Sequence, residues 1–317
     1  MIYHQFGKMK WLVSAIGQGL GNIGNRWGEM TDEEAVKIIN EAYDNGINLF
    51  DIADVYGSPQ GLSEMRLSKA LKGKRDKVLI ASKVGTWGSR YGHGIPLTTP
   101  DTVRLMVHAC AGRLKTDYID IILCHDGNPT EPEIYIEGFE KLKTEGFIRE
   151  YGISTDNFEV LKKFYELSGG GCIAVELGYS LLFRSAEEKL LPFCMENNIA
   201  VLIKRPLERG LLSGKFDEKT VFSDEAREKW NPGGKSHEKY LKNLKSVEKL
   251  KSIYPERDKM AEAAIRFLIS HPAKPVAVPG ATKPEQVAKN AEAASRLFGK
   301  EEIAEIRKYF NEKKDHR

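Results

Sequence analysis

The chain is poor in cysteine, in long apolar runs and in charge of one sign. Its 317 residues hold four cysteines, Cys110, Cys124, Cys172 and Cys194, and none forms a Cys-x-x-Cys pair. Their neighbours read as buried strand or helix, so reduced thiols in a core are expected rather than a disulfide framework or a zinc site. Neither His93 nor His125 has a partner at His-x-His or His-x-x-x-His spacing, so no metal site is expected. No apolar run approaches a membrane span, and MIYHQFGKMKWLV lacks the apolar core of a signal peptide. A cytoplasmic protein without a membrane partner follows. Net charge is +3 and the isoelectric point is near 8.4. No block of like charge runs far, so a nucleic-acid partner is not expected. The closing EKKDHR reads as a frayed, solvated tail.

What is present is a repeating alternation. Hydrophobic residues make up 41% of the chain, enough for one large core. The first residues predict a hairpin, IYHQF and KMKWLV about a turn at Gly7 and Lys8. Strands are then expected at WLVSAIGQG, INLFDIA, VLIASKVG, IDIILCH, REYGIS, CIAVELGYS, AVLIKRP and VAVPG. A helix follows each. The first carries a capping box, Thr31 with Glu34, and stops at Gly46. The third has Pro100 in its first turn. The helix in SAEEKLLPFCMENN is expected to run through Pro192. The helix in KPEQVAKNAEAASRLF is expected to run to its end, and KEEIAEIRKYFNEKK predicts an extra C-terminal helix. Eight short, apolar, Gly-bounded strands in this order point to a closed parallel barrel. The expected fold is therefore α/β, a (β/α)8 TIM barrel with an N-terminal β-hairpin. One domain is expected over residues 1–317, with a long polar insertion at about 210–255 after strand seven.

Barrels of this kind place their active sites at the C-terminal ends of the strands. Asp51, Lys83 and His125 lie at such ends on strands two, three and four, and Tyr56 follows five residues after Asp51. Buried polar groups of these types are costly unless they meet one another. A tyrosine alone, with a pKa near 10, is a poor acid at neutral pH. A neighbouring ammonium favours the phenolate. Lys83 can supply that charge, Asp51 can hold Lys83, and His125 can orient a carbonyl oxygen. A bound hydride donor would complete such a site. Singly, each residue has a plainer reading: Asp51 as a cap, Tyr56 and His125 as packing, Lys83 as a Schiff-base lysine.

The chain resembles the aldo-keto reductase superfamily over nearly its whole length. FDIADVYG with GLSEMRLSKAL, then ASKVG and ILCHDG, resemble the motifs that carry the family's catalytic residues. YGIS, AVELGYSLL, RPLERGLLSGKF and VPGATKPEQVAKN resemble its cofactor segments. The resemblance implies hydride transfer from NADPH, or less often NADH, to an aldehyde, ketone or sugar. It makes Tyr56 the general acid, tuned by Lys83 and Asp51, with His125 orienting the carbonyl. Ser154 and Thr155 after strand five, Glu176 on strand six and Lys204 on strand seven fall where the nicotinamide is held. Arg205, Pro206, Leu207, Gly210 and Lys215 fall in a loop about the pyrophosphate. Gly280, Thr282, Gln286 and Asn290 fall at the adenosine end, with Lys283 a partner for a 2′-phosphate. Arg227 is a further phosphate candidate. Trp27 and Trp87 are expected to line the substrate pocket.

Three positions depart from the family's habit. Thr155 replaces a frequent Asn, Glu176 a usual Gln, and Lys204 a frequent aromatic. Glu176 and Lys204 are expected to form an ion pair in compensation. Lys289 stands where a glutamate usually contacts adenine. Gly19, Gly21 and Gly24 spell a Gly-x-Gly-x-x-Gly after a strand, but the next helix starts seven residues later, so a Rossmann fingerprint is not expected. Other readings remain open: the reverse reaction on an alcohol or sugar, a lysine aldolase, and a cofactor-sensing regulatory subunit bound to another protein. Monomer and homo-oligomer are equally open.

Overall fold

A computed structural model describes residues 1–310, so the EKKDHR tail lies outside the described residues. A hairpin, β1 (Tyr3–Gln5) with β2 (Leu12–Ser14), comes first. Eight strands follow: β3 (Gln18–Gly19), β4 (Leu49–Asp51), β5 (Leu79–Val84), β6 (Ile119–Cys124), β7 (Ile148–Ser154), β8 (Cys172–Gly178), β9 (Ala200–Lys204) and β10 (Val276–Ala277). All pair in parallel and in chain order. Bridges from Ile16 to Ala277 and from Gly19 to Gly280 join the two ends of the sheet, which makes it a barrel. The Gly19 loop therefore belongs to a barrel and not to a dinucleotide-binding sheet.

Helices α1 (Asp32–Asp44), α2 (Leu62–Ala70), α3 (Pro100–Leu114), α4 (Pro132–Thr144), α5 (Phe158–Leu167) and α6 (Leu190–Glu196) alternate with the strands. Between β9 and α8 (Arg257–Ile269) lie short 3-10 turns at Leu211–Ser213 and Glu228–Trp230, and a long helix, α7 (His237–Ile253). Next come α9 (Pro284–Glu292), after β10, and α10 (Lys300–Tyr309). Both halves of the Thr31/Glu34 capping box form, and Pro100 sits in the first turn of α3, where no N–H is needed. No helix among the described residues is long and apolar enough to cross a membrane.

Two apolar layers hold the barrel. Its interior is filled by Leu49, Leu79, Ile121, Leu123, Ile173, Leu202, Val276 and their neighbours, and the hairpin adds Phe6, Met9 and Val13 to that cluster. The second layer packs the outer face of the strands against the helices. A filled interior is a core, not a pore, so the barrel itself leaves ligand space at its rim. At Gly152 the register of β7 on β8 shifts, and a Cβ there would lie 1.9 Å from the Ala174 carbonyl oxygen. Gly152→Ala is expected to lower the unfolding free energy by about 1–3 kcal/mol. The denaturant midpoint reads this, and an unchanged midpoint would refute it.

Three boundaries differ from expectation. WLVSAIGQG is not one strand: Leu12–Ser14 complete the hairpin, Gln18–Gly19 pair with β4, and Ile16 makes an isolated bridge to Ala277. The segment around Pro192 is broken into a 3-10 turn, Ser185–Glu187, and a shorter helix, α6. Pro192 then falls in a first turn, where its missing N–H breaks no hydrogen bond. The helix after β10 ends at Glu292 and passes into a kinked 3-10 turn, Ala293–Ser295.

Candidate active site

Asp51 ends β4, Lys83 is the second-last residue of β5, and His125 directly follows β6. Tyr56 sits on the loop from β4 to α2, which is pinned where Asp54 N–H donates to the Lys83 carbonyl at 3.1 Å. The four side chains meet. Lys83 Nζ donates to Asp51 Oδ1 at 2.5 Å and to the Ile52 carbonyl at 2.9 Å. It lies 5.3 Å from the centre of the Tyr56 ring. The Tyr56 and His125 rings meet edge to face, with centroids 6.1 Å apart. Thr86 Oγ1 lies 3.1 Å from His125 Nδ1 and fixes the ring's orientation. Burial works against the Lys83 charge, but Asp51, Glu176 and Tyr56 outweigh it and hold the ammonium above the ordinary lysine range. A lysine held so firmly protonated is no Schiff-base nucleophile.

Glu176 and Lys204 do not pair. In the β8/β9 register Glu176 sits opposite Leu202, and Lys204 opposite Gly178. The two are thus two residues out of step, about 7 Å along the strands. Glu176 is level with Ser154, whose hydroxyl donates to it at 2.7 Å. Its other oxygen lies 3.4 Å from Lys83 Nζ. Lys204 Nζ instead donates to Ser154 Oγ at 3.3 Å and lies 3.4 Å from Asp156 Oδ1. Ser154 therefore stands between the expected partners.

Above this floor opens a cavity of about 790 Å³. Asp51, Tyr56 and Glu176 line it, as do Trp27, Lys204, Arg205, Pro206, Leu207, Gly210 and Lys215. Gly280, Thr282, Lys283, Gln286 and Asn290 complete the expected set along the wall. Ser154 and Thr155 are buried beside it, and the Thr155 hydroxyl is spent on the Gly127 carbonyl at 2.7 Å. Trp87 is not part of the lining; the Arg113 guanidinium covers its ring at 4.8 Å. Nine lysines and arginines line the cavity against four carboxylates. Arg209 makes no side-chain hydrogen bond or ion pair to a described residue, and burial, then Arg205, pushes it below the ordinary arginine range. Lys215 is lowered likewise, by burial and then Arg227. Such a wall is short of negative charge and suits a polyanion.

A sequence model of the Aldo/keto reductase family matches residues 15–310. This chain belongs to that family. It is an oxidoreductase by membership. The aldo-keto reductase YhdN of Bacillus subtilis (strain 168) is 31% identical over 297 residues, covering 90% of this chain and 86% of that one. The holo form of an aldo-keto reductase from Bacillus halodurans superposes with a TM-score of 0.81 at 28% identity, covering 100% of this chain and 98% of its own. An aldo-keto reductase from Klebsiella pneumoniae, solved in complex with NADPH, gives 0.74 at 24% identity, covering 100% and 98%. That last likeness is one of fold.

In this aldo-keto reductase several contacts around the cavity carry no local sequence signal. Arg26 pairs with Glu225, its Nε donating at 3.0 Å, and Arg227 lies over the Trp27 ring at 5.2 Å. These contacts tie the loop after β3 to the segment after β9 across the cavity mouth. Asp156 receives both Lys204 and Arg205. Arg205, Glu208 and Arg209 all hold left-handed backbone, with φ of 58°, 46° and 53°. Non-glycine residues in that region cost about 1–3 kcal/mol each and cluster at functional loops. A run of them next to the cavity is a signal only the structure carries.

Proposed function

We propose that this chain acts as one domain, in the cytoplasm, as an NADPH-dependent reductase of small aldehydes, ketones or sugars. One observation carries the reading: Tyr56 and Asp51 line a cavity walled by nine cations, with Lys83 held on Asp51 and the His125 ring against Tyr56. Four buried free cysteines support a reducing compartment.

The cavity residues fit a dinucleotide phosphate. Lys204 would lie by its nicotinamide, Arg205 to Leu207 and Gly210 to Lys215 would hold its pyrophosphate, and Thr282, Gln286 and Asn290 its adenosine. Lys283 caps α9, where an anion is favoured, and would meet a 2′-phosphate. When bound, the reduced nicotinamide supplies hydride to the carbonyl carbon. The chain supplies the rest. His125 receives the carbonyl oxygen and aims it. Tyr56 Oη gives that oxygen a proton as negative charge develops on it. The Lys83 ammonium stabilises the phenolate left behind, and Asp51 keeps the ammonium in place.

Following reduced-nicotinamide absorbance over a panel of aldehydes, ketones and sugars tests the reaction. The same panel run with alcohols and oxidised cofactor reads the reverse direction. A protein partner captured without turnover on any carbonyl would favour the regulatory reading instead. NADPH is expected to bind more tightly than NADH by cofactor fluorescence. Lys283→Met should remove that preference, a loss of about tenfold for a charge-assisted hydrogen bond. Equal affinities for the two cofactors in the unmodified protein would refute the phosphate argument.

A further inference from the structure

Lys83 has two carboxylate neighbours where stabilising a phenolate needs one. Asp51 Oδ1 is 2.5 Å from its Nζ and Glu176 Oε1 is 3.4 Å. The lysine side chain is 0% exposed and the carboxylates 5% and 2%. Around Glu176 the packed elements present Asp51 from β4, Lys83 from β5, His125 after β6, Ser154 from β7 and Lys204 from β9. Tyr56 lies against Lys83.

Accepting the reading of Tyr56 as the general acid, we propose that Glu176 is a positioning residue for proton transfer. With Asp51 it forms a carboxylate pair that shares Lys83 and one exchangeable proton, and that proton sets the charge Tyr56 faces. With both carboxylates ionised, the group of Asp51, Glu176 and Lys83 carries one net negative charge. Uptake of one proton from solvent makes it neutral. Two carboxylates about one site do not ionise independently, and one of them is held protonated to higher pH. Here that one is Asp51: burial, then the Glu176 charge, push it up to about 7 although Lys83 opposes. Burial also acts on Glu176, but Lys83, Lys204, the Ser154 hydroxyl and His125 outweigh it and keep Glu176 below the ordinary carboxylate range.

The sign follows. Below about pH 7 the pair holds its proton, and the Lys83 charge acts on Tyr56 against a single carboxylate. Above it, the added negative charge opposes the developing phenolate. Carbonyl reduction should therefore slow as pH rises through this step. A fall of about tenfold in kcat/KM corresponds to one pKa unit at Tyr56.

Glu176→Gln keeps the shape and an acceptor for Ser154 but removes the charge. Its pH profile is expected to lose the step, and above the step it should reduce carbonyls at least as fast as the unmodified protein. A purely structural role would lower activity equally at every pH and leave the step in place, which overturns the proposal. Tyrosinate absorbance, taken as the difference from Tyr56→Phe, reads the same charge without turnover. Tyr56 should ionise at lower pH in Glu176→Gln, and an unmoved titration overturns the proposal even if reduction is observed. A shifted titration with no turnover in either protein would sink the reductase reading alone. Should Glu176→Gln fail to fold, Asp51→Asn decides. It removes the carboxyl that holds the proton, so the step should vanish, and a step that persists refutes the idea.

Discussion

Tyr56→Phe is expected to lower kcat/KM for carbonyl reduction by about 10²–10⁴-fold, the usual worth of a positioned general acid. The substitution removes one oxygen and little else. A phenyl ring keeps the edge-to-face contact with His125 and the place beside Lys83 Nζ. Cofactor affinity should therefore hold, because the cationic wall that would take the phosphates is untouched. The check is a pair of measurements: initial rates by cofactor absorbance, and cofactor binding by fluorescence. Equal rates in the two proteins would remove Tyr56 from the chemistry. Lost cofactor binding would show instead that the ring shapes the cavity. Residual activity is expected, since His125 still aims the carbonyl and the wall still orders the reactants.

Much of the fold was legible because its signals are local. The Thr31/Glu34 box and Pro100 mark helix starts that depend on three or four neighbouring residues. The strand ends that carry Asp51, Lys83 and His125 were legible too, because an apolar run that stops at a polar residue is a one-dimensional pattern. Register is not such a pattern. Glu176 and Lys204 lie on adjacent strands, yet a two-residue offset gives Glu176 to Lys83 and Ser154, and gives Lys204 to Asp156. Contacts between distant loops are silent for the same reason: Arg26 and Glu225 are 199 residues apart. The left-handed backbone at Arg205 and Arg209 is invisible to a reading that expects glycine there. Trp87 looks like a pocket wall in its Gly-rich loop until Arg113, from α3, is seen over its ring.

Lys83→Met is expected to cost about 3–5 kcal/mol of stability, the range for leaving a buried charge without its partner. Methionine matches the lysine stem in length and flexibility, so packing in the barrel rim changes little. What changes is that Asp51 and Glu176 face each other across an apolar chain, both buried. Without the ammonium, burial and mutual repulsion leave little to hold either carboxyl in its charged form. Both pKa values should then lie above those of the unfolded chain, near the ordinary carboxylate range. A group raised in this way binds its proton more tightly in the folded state. The stability it lends is present in acid and is lost as pH rises through the raised value. The Lys83→Met protein should therefore approach the unmodified protein in mild acid and fall furthest behind it in mild alkali. Urea midpoints at the two pH values measure this directly. A triple variant, Lys83→Met with Asp51→Asn and Glu176→Gln, should recover much of the loss, because no buried charge is left to strand. If Lys83→Met alone were as stable as the unmodified protein in mild alkali, the two carboxylates would not depend on Lys83, and the shared-lysine floor of the site would be wrong.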